Sequence, residues 1–316
     1  RTTQERRSKP FVLLEIGMLH VRLHAIHGAK DPIRITKLRE ELMTPGDGSH
    51  LPDRVRQVLD VDTEVRDLAI FLNAPSVRHH ILSIPHMSRA ERQKVLQREM
   101  KNSSHLKAAP ETFSCWSAGK IKDPDAVREQ VLCAEINQSI ADNLIAIARE
   151  KNFNLIGFTS YAQMASHILK ECRIEGIQNI ALLDAGEREG SITLFHSNVW
   201  NMDRHFLLGG AMVSPESQEL SEFDAEKLKL EVGRALQYFK QQVRSENISQ
   251  IMLIGSTRRA DAIKELLESS FRISVVPVAL DRKWIASDHG AGNDEKAPLF
   301  DIAHAAALYA NFERYI

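Results

Sequence analysis

The chain has 316 residues, 43% of them hydrophobic, which is enough to bury two substantial cores and suggests about two domains. Its 41 basic and 42 acidic residues leave a formal net charge of −1, so no overall field attracts nucleic acid or an anionic membrane. The 3 cysteines lack Cys-x-x-Cys spacing, which argues against a disulfide framework and a zinc site and favours a reducing cytoplasm.

The sequence contains no segment that is expected to enter a membrane. Residues 1–10 are basic with no apolar stretch behind them, so we expect a disordered lead-in instead of a signal peptide or an anchor. The longest uncharged run, residues 152–169, is interrupted by polar side chains too often to cross a bilayer. We therefore expect no direct membrane insertion.

Two short segments repeat each other, at residues 13–17 and 182–186. Each is an apolar strand that ends in an acidic residue two positions before a glycine. Alternating apolar residues follow both segments and predict two further strands in each half. Each half of the chain is therefore expected to begin with a three-stranded meander.

The repeated acidic-x-Gly turns are suited to holding a phosphate. Glycine has no Cβ to block backbone N–H groups, and a carboxylate can hold a magnesium-bound water. The candidate residues are Glu15 and Gly17 in the first turn, and Asp184 and Gly186 in the second. The alternative is that both glycines serve only tight turns, but their occurrence at the head of two matching halves favours a two-lobed cleft.

After the first meander, residues 45–52 are predicted to form a loop, and residues 63–72 carry apolar side chains at helical spacing. A compact module then follows, in the order strand, helix, strand, strand, helix. Its helix begins with the capping-box pattern Ser88-x-x-Glu91. The predicted elements of this βαββα module are a strand at 81–84, the capped helix, strands at 112–116 and 130–136, and a helix at 140–149.

The second half repeats the first without the module. Its predicted elements after the meander are a helix at 225–244, a strand at 251–254, a helix at 259–269, a strand at 273–276, a polar loop at 281–298 and an Ala-rich helix at 301–312. The expected first lobe comprises residues 11–77, 154–178 and 299–316. The inserted module comprises 78–153 and the second lobe 179–298.

The order of these elements, the paired acidic-x-Gly hairpins, the βαββα insertion, Gly209-Gly210 and the Ala-rich helix after Pro298 resemble the PilM family of type IV pilus assembly proteins. This family is related to FtsA and to the cytoplasmic domain of GspL. The resemblance implies an α/β, actin-like (RNase H-like) two-lobed duplication. It also implies a cytoplasmic scaffold, peripheral at the inner membrane, that binds the N-terminal cytoplasmic tail of a PilN-like membrane protein and has a possible capacity for self-association.

The resemblance also implies an ATP-binding cleft, but the first phosphate loop departs from the family pattern. Glu15 stands in place of aspartate, and Met18, Leu19 and His20 follow where small or hydroxylated residues are usual. Their bulk is expected to crowd a γ-phosphate. The sequence therefore predicts that magnesium-ATP binds weakly or not at all.

The second phosphate loop keeps Asp184 and Gly186, but Glu187 and Glu189 place carboxylates where phosphates would lie. Gly255-Ser256-Thr257 replaces the usual Gly-Gly pair, and Lys229 on the long helix is a candidate contact for a base or ribose. We expect no ATPase activity and no required cofactor. The alternative is an actin-fold ATPase or sugar kinase, which rests on Asp184, Gly186 and the architecture alone.

The partner tail is expected to lie in a groove between the module and the first lobe, and to pair with an exposed strand edge. The alternative role of the candidate residues is ordinary core packing. The candidates are Ile81, Ile84, Val95, Leu96, Leu155 and Phe158.

Several histidines and one cysteine are of types that can bind metals or act in catalysis, but we expect them to have structural roles. His20 and His24 share one face of a hairpin, which is expected to be a surface hairpin instead of a metal site. His79 and His80 should point to opposite faces of a strand, and Cys115 is expected in a core. No nucleophile motif occurs, so we predict no catalytic residue.

Overall fold

The computed structural model describes most of the chain between residues 10 and 287. The described residues are 10–27, 33–44, 50–72, 77–102, 113–122, 127–171, 178–186, 188–197, 199–208, 220–243, 246–255, 259–278 and 285–287. Residues 1–9 of the lead-in predicted over 1–10, Gly209-Gly210 and the Ala-rich helix predicted over 301–312 lie outside them.

The first lobe is built on a mixed sheet with the strand order β14-β3-β2-β1-β4-β8. Its elements are β1 (Phe11–Ile16), β2 (His20–His27), β3 (Ile33–Leu42), α1 (Leu51–Val58), β4 (Asp67–Leu72), β8 (Asn154–Ser160), α4 (Tyr161–Glu171) and β14 (Ile285–Ser287). Strands β1 to β3 form the predicted antiparallel meander, while β4 and β8 add in parallel to β1.

The second lobe repeats this arrangement in a five-stranded sheet of order β11-β10-β9-β12-β13. Its elements are β9 (Asn179–Ala185), β10 (Glu189–His196), β11 (Val199–Leu207), α5 (Glu222–Gln242), β12 (Gln250–Gly255), α6 (Ala260–Phe271) and β13 (Ser274–Pro277). An antiparallel meander is again followed by two parallel strands. The duplication predicted from the repeated hairpins is confirmed.

The helix predicted over residues 63–72 is wrong. Asp67–Leu72 is the parallel strand β4, which lies between β1 and β8. Leu68 and Ile70 enter the core on one face of the sheet, and Ala69 and Phe71 enter the core on the other. A strand that is buried on both faces has a continuous apolar run, which short-range spacing does not distinguish from a helix.

Two other predicted loops contain regular structure. Helix α1 begins at Leu51, at the end of the loop predicted over 45–52, and the proline in its first turn suits a helix start. Strand β14 lies within the polar loop predicted over 281–298 and pairs in parallel with β3. Both elements are short, so neither offers a long periodic pattern to the sequence analysis.

The inserted module has the predicted order of elements: β5 (Val77–Pro85), α2 (Arg89–Asn102), β6 (Phe113–Lys122), β7 (Val127–Ile136) and α3 (Gln138–Glu150). Its three strands form an antiparallel sheet with β7 in the middle. The Ser88–Glu91 capping box is present, because Ser88 N–H donates to the Glu91 carboxylate and Glu91 N–H donates to Ser88 Oγ. Helices α3 and α1 pack together over the face of the first lobe's sheet that carries Leu68 and Ile70. This apolar cluster is the outer core of the first lobe.

The two lobes are joined by a continuous apolar core around α4. Six residues of this helix, from Tyr161 to Leu169, are buried there among side chains of both sheets. Phe71 of the first sheet and Leu182 of the second sheet are both buried in this interlobe core. Leu132 of the module reaches the same core, so all three parts of the molecule meet at α4.

Cys115 and Cys133 form a disulfide between β6 and β7. The two residues lie directly opposite each other in the antiparallel ladder, with a Cα–Cα distance of 4.1 Å. The expectation of no disulfide is therefore wrong for this pair, because it relied on spacing along the chain and the strand register was not known. Cys172 lies outside the described residues.

Truncation of the interlobe core should lower stability far more than truncation of an exposed apolar residue. Phe71 is fully buried, so Phe71→Ala is expected to reduce the free energy of unfolding by about 3–5 kcal/mol, as measured by urea titration. Leu230→Ala is the control, because Leu230 on α5 is 48% exposed and should change it by less than about 0.5 kcal/mol. Equal effects would contradict a core that joins the lobes.

Candidate functional site

The two repeated hairpin turns face the seam between the lobes. Glu15 lies on the same face of β1 as Leu13, and Asp184 lies on the same face of β9 as Leu182. Both leucines belong to the interlobe core. The duplicated fold therefore brings the two acidic residues toward each other from opposite lobes, as the sequence predicted for a two-lobed cleft.

The first turn holds a carboxylate from the second lobe. The backbone N–H groups of Met18 and Leu19 both donate to Glu189 Oε2, each with an N–O distance of 2.9 Å. His20 Nδ1 lies 3.0 Å from Glu189 Oε1. A Cβ atom at Gly17 would overlap this carboxylate, so glycine is required for its close approach.

His20 connects the carboxylates of Glu15 and Glu189. Its Nε2 lies 3.0 Å from Glu15 Oε1, on the other side of the ring from Glu189. Since ionised carboxylates only accept hydrogen bonds, both ring nitrogens must carry protons to donate to them. Burial by itself would lower the pKa of His20, but the charge of Glu15 and the hydrogen bonds to both carboxylates raise it to about 10.

Glu15 is buried beside three basic residues of β2, His20, Arg22 and His24. Its second carboxylate oxygen lies 3.4 Å from His24 Nε2 and 3.8 Å from Arg22 Nη1. Burial would raise the pKa of Glu15, but the charge and hydrogen bond of His20 and the other contacts hold it well below its ordinary value. The expectation of a surface hairpin is wrong, because His20 and His24 are 5% and 6% exposed and contact this carboxylate.

The second turn brings three of the predicted residues together. Gly255 on β12 has a φ of +102°, and a Cβ atom there would lie 2.5 Å from Asp184 Oδ1. At Gly186, a Cβ atom would lie 2.7 Å from the backbone oxygen of Glu189. Burial, with the charge of Asp184 as a smaller cause, raises the pKa of Tyr161 at the start of α4 well above its ordinary value.

The remaining predicted nucleotide contacts do not join this cluster through any described interaction. Lys229 forms an ion pair with Glu226 one helical turn earlier on α5. Its neighbour Glu231 is buried and contacts Arg204 and Arg234. Glu187, Ser256 and Thr257 lie outside the described residues.

The amide donors of the first turn are occupied by a carboxylate. The amides of Met18 and Leu19 are the donors that a phosphate would need, and both are bonded to Glu189. That the bulk of Met18, Leu19 and His20 crowds a γ-phosphate stays a prediction.

A second buried polar cluster, centred on Asp203 of β11, was missed by the sequence analysis. His79 Nδ1 of β5 lies 3.0 Å from Asp203 Oδ1, and His205 Nε2 lies 3.2 Å from Oδ2. His79 Nε2 lies 2.9 Å from Ser160 Oγ at the end of β8. The cluster thus joins the module to both lobes, and only the three-dimensional fold brings these distant positions together.

The order Ser160, His79, Asp203 has the residue types of a hydrolase triad, but its burial favours a structural role. Ser160 is 3% exposed, so its hydroxyl cannot meet a substrate in this conformation. Burial would raise the pKa of Asp203, whereas hydrogen bonds and charge from His205 and His79 hold it well below its ordinary value. His79 and His80 act separately, as predicted, because His80 instead contacts Glu135.

The structure does not bring the six predicted groove residues to one surface. Ile84, Val95 and Leu96 pack in the module's own core between α2 and its sheet. Leu155 and Phe158 pack against the outer core of the first lobe, and Ile81 packs against the interlobe core. Because side chains fill the seam at these positions, their role in partner binding stays a prediction.

Neither a metal-ligand cluster nor a membrane-spanning helix occurs in the described part of the chain. No group of three or more His, Cys, Asp or Glu side chains in this part of the chain could hold a metal ion. Among the helices described, none is both long enough and apolar enough to cross a membrane.

Comparison with solved structures identifies the architecture. A chain from a PilM-PilN type IV pilus biogenesis complex matches with a TM-score of 0.65 and 17% sequence identity, covering 96% of this chain and 98% of that chain. The chain has an actin-like fold of the PilM type. This confirms the fold class predicted from the sequence. No protein-family profile and no curated protein sequence matches the chain.

Two other solved structures match the chain with lower scores. One is a Bacteroides thetaiotaomicron protein of unknown function with an actin-like ATPase fold, with a TM-score of 0.49, 9% identity and coverage of 86% of this chain and 92% of that chain. The other is the cytoplasmic domain of EpsL, an inner membrane component of the Vibrio cholerae type II secretion system, with a TM-score of 0.46, 7% identity and 97% coverage of both chains. These similarities are too remote to bear on function.

His20 should carry two protons well above the pH at which an ordinary histidine becomes neutral. The charged groups around His20 are Glu15, Glu189 and Arg22, and its pKa of about 10 keeps the ring charged in the folded protein at neutral pH. Its contribution to the free energy of unfolding is therefore full below about pH 6.5 and is lost as the pH rises through about 10. Nitrogen-15 NMR at pH 8 should therefore show the imidazolium form. A neutral ring at this pH would contradict the bridge between two carboxylates.

Asp203→Asn should loosen the attachment of the module. We expect a loss of about 1–3 kcal/mol in the free energy of unfolding at pH 7, because His79 and His205 lose a charged acceptor. Since folding lowers the pKa of Asp203, the wild-type advantage should shrink as the pH falls below about 4. Asp142→Asn, on the exposed face of α3, is the matched control; an equal loss in both variants would argue against the cluster.

Proposed function

We propose that the protein is a cytoplasmic scaffold of a type IV pilus or type II secretion assembly platform. In this role it lies at the inner membrane through a partner and binds the short N-terminal cytoplasmic tail of a PilN-like membrane protein. The observation that carries the proposal is the PilM-type fold along nearly the whole chain, including the inserted module. Self-association is compatible with this role but is not required by it.

The state of the first hairpin turn supports a role without ATP hydrolysis. Glu189 accepts hydrogen bonds from the two amides of the phosphate loop. His20 contacts the carboxylate of Glu15, which is the acidic residue of that turn. A nucleotide would have to displace a buried carboxylate before its phosphates could reach these groups. We therefore propose that the nucleotide cleft is degenerate and that the scaffold needs no bound ATP.

The partner tail is proposed to pair with the module's sheet as an added strand. The strand order β5-β7-β6 leaves β5 and β6 at the two edges among the described residues. An edge strand offers backbone groups to an extended peptide, and alternate side chains of the peptide can then be recognised. Edge pairing was also expected from the sequence, and Ile81 and Ile84 of the predicted groove lie on β5. Because the side chains of the predicted groove pack in cores, the proposed contact uses the backbone of the edge strand.

Binding of the tail can be tested with a labelled peptide that carries the N-terminal cytoplasmic sequence of the PilN-like protein from the same organism. We expect saturable binding by fluorescence anisotropy and slower amide hydrogen exchange in β5 or β6 when the peptide is bound. A peptide with the same composition in scrambled order is the control and should do neither.

Two results would contradict this proposal in different ways. If the native tail binds no better than the scrambled peptide, the scaffold role is wrong. If the tail binds but slows exchange only in the lobes, the placement on the module is wrong. Steady release of phosphate from magnesium-ATP by the purified chain would instead favour the alternative ATPase or sugar kinase.

A further inference from the structure

We propose that the Gly17–His20 turn is an oxyanion-binding site that the chain fills with its own Glu189 carboxylate, so that an external phosphate enters only when Glu189 leaves. This inference concerns the seam between the lobes. It does not depend on the proposed scaffold role or on the partner tail.

The turn has the composition of an anion site. Two consecutive amides, of Met18 and Leu19, converge on one oxygen of Glu189, and the protonated ring of His20 approaches the other. Consecutive backbone N–H groups with an adjacent cation form a concave donor set that is selective for oxyanions. Gly17 keeps the space above the turn open to the carboxylate.

The anion that fills this site belongs to the opposite half of the chain. Glu189 is the first residue of β10, more than 160 residues from the turn it contacts, and only 9% of its surface is exposed. A long-range contact of this kind fixes the two repeated hairpins against each other. Filling of the site and closure of the seam are therefore the same event.

Removal of Glu189 should leave the donors in place. Met18 and Leu19 present backbone groups, and His20 stays fixed to Glu15 through Nε2. Two amides directed at one oxygen position, with the His20 ring beside the neighbouring position, favour the entry of a small oxyanion from solution when no acceptor is present. The chemistry is shared by acetate, inorganic phosphate and the phosphates of a nucleotide, which differ in size and charge.

The experiment compares wild type with Glu189→Ala and Glu189→Gln, and uses Glu265→Ala as the control. Glu265 is an exposed glutamate of α6 and has no contact with the turn. Acetate, inorganic phosphate and ATP are titrated separately by calorimetry, with chloride at matched ionic strength. NMR amide shifts of Met18 and Leu19 report whether the anion reaches the turn.

We expect Glu189→Ala to bind acetate or phosphate at least tenfold more tightly than wild type and the control, with shifts at both amides. Adding His20→Gln to Glu189→Ala should abolish the gain. A gain for inorganic phosphate identifies a site for free anions, and a gain for ATP alone identifies one that also uses other parts of the cleft. Both results support the proposal.

The proposal is overturned if folded Glu189→Ala binds none of the three anions better than wild type. It is also overturned if the gain survives the loss of His20 and leaves the amides of Met18 and Leu19 unshifted. If Glu189→Ala does not fold, Glu189→Gln keeps the shape of the side chain, but its uncharged amide oxygen is a weaker acceptor, which phosphate can displace from the two amides more readily than it displaces the carboxylate. That variant should be stabilised by phosphate more than wild type is, and an equal response would refute the site.

Discussion

The arrangement of the two lobes depends on one buried charge, the imidazolium of His20 between the carboxylates of Glu15 and Glu189. One carboxylate comes from the strand that precedes the first hairpin, and the other comes from the second lobe. Each partner would be costly to bury by itself, whereas the three together satisfy one another. The same contact joins the two lobes at this point, because Glu189 also accepts hydrogen bonds from the amides of Met18 and Leu19.

Around this charge, the duplicated fold buries sheet faces that neither half could bury by itself. Each sheet has one face covered within its own lobe and another that must be buried elsewhere. Helix α4 lies between the two inner faces and supplies small and large apolar side chains to both. The buried cluster around Asp203 then attaches the module to the same junction. The apolar core provides most of the burial, and the polar contacts determine how the parts are oriented.

The sequence predicted the features that depend on local patterns. The meanders, the duplicated acidic-x-Gly turns, the capping box at Ser88 and the long helix α5 follow from alternation, periodicity or short motifs. It failed at β4, where burial on both faces removes the alternation, and at the pair Cys115 and Cys133, where the strand register decides the contact. It also placed His20 on the surface, because Glu189, the group that buries it, lies far away in the chain and belongs to the other half.

The position of the inserted module has a mechanical consequence. The chain leaves the first lobe after β4 and returns through α3 into β8, and these two strands are parallel neighbours. The exit and the return are therefore at opposite ends of the paired strands. A tensile force on the module would slide β4 and β8 past each other along their length, and the hydrogen bonds between them would share the load at once instead of breaking one after another. The insertion point is thus suited to carry a pulling force into the sheet.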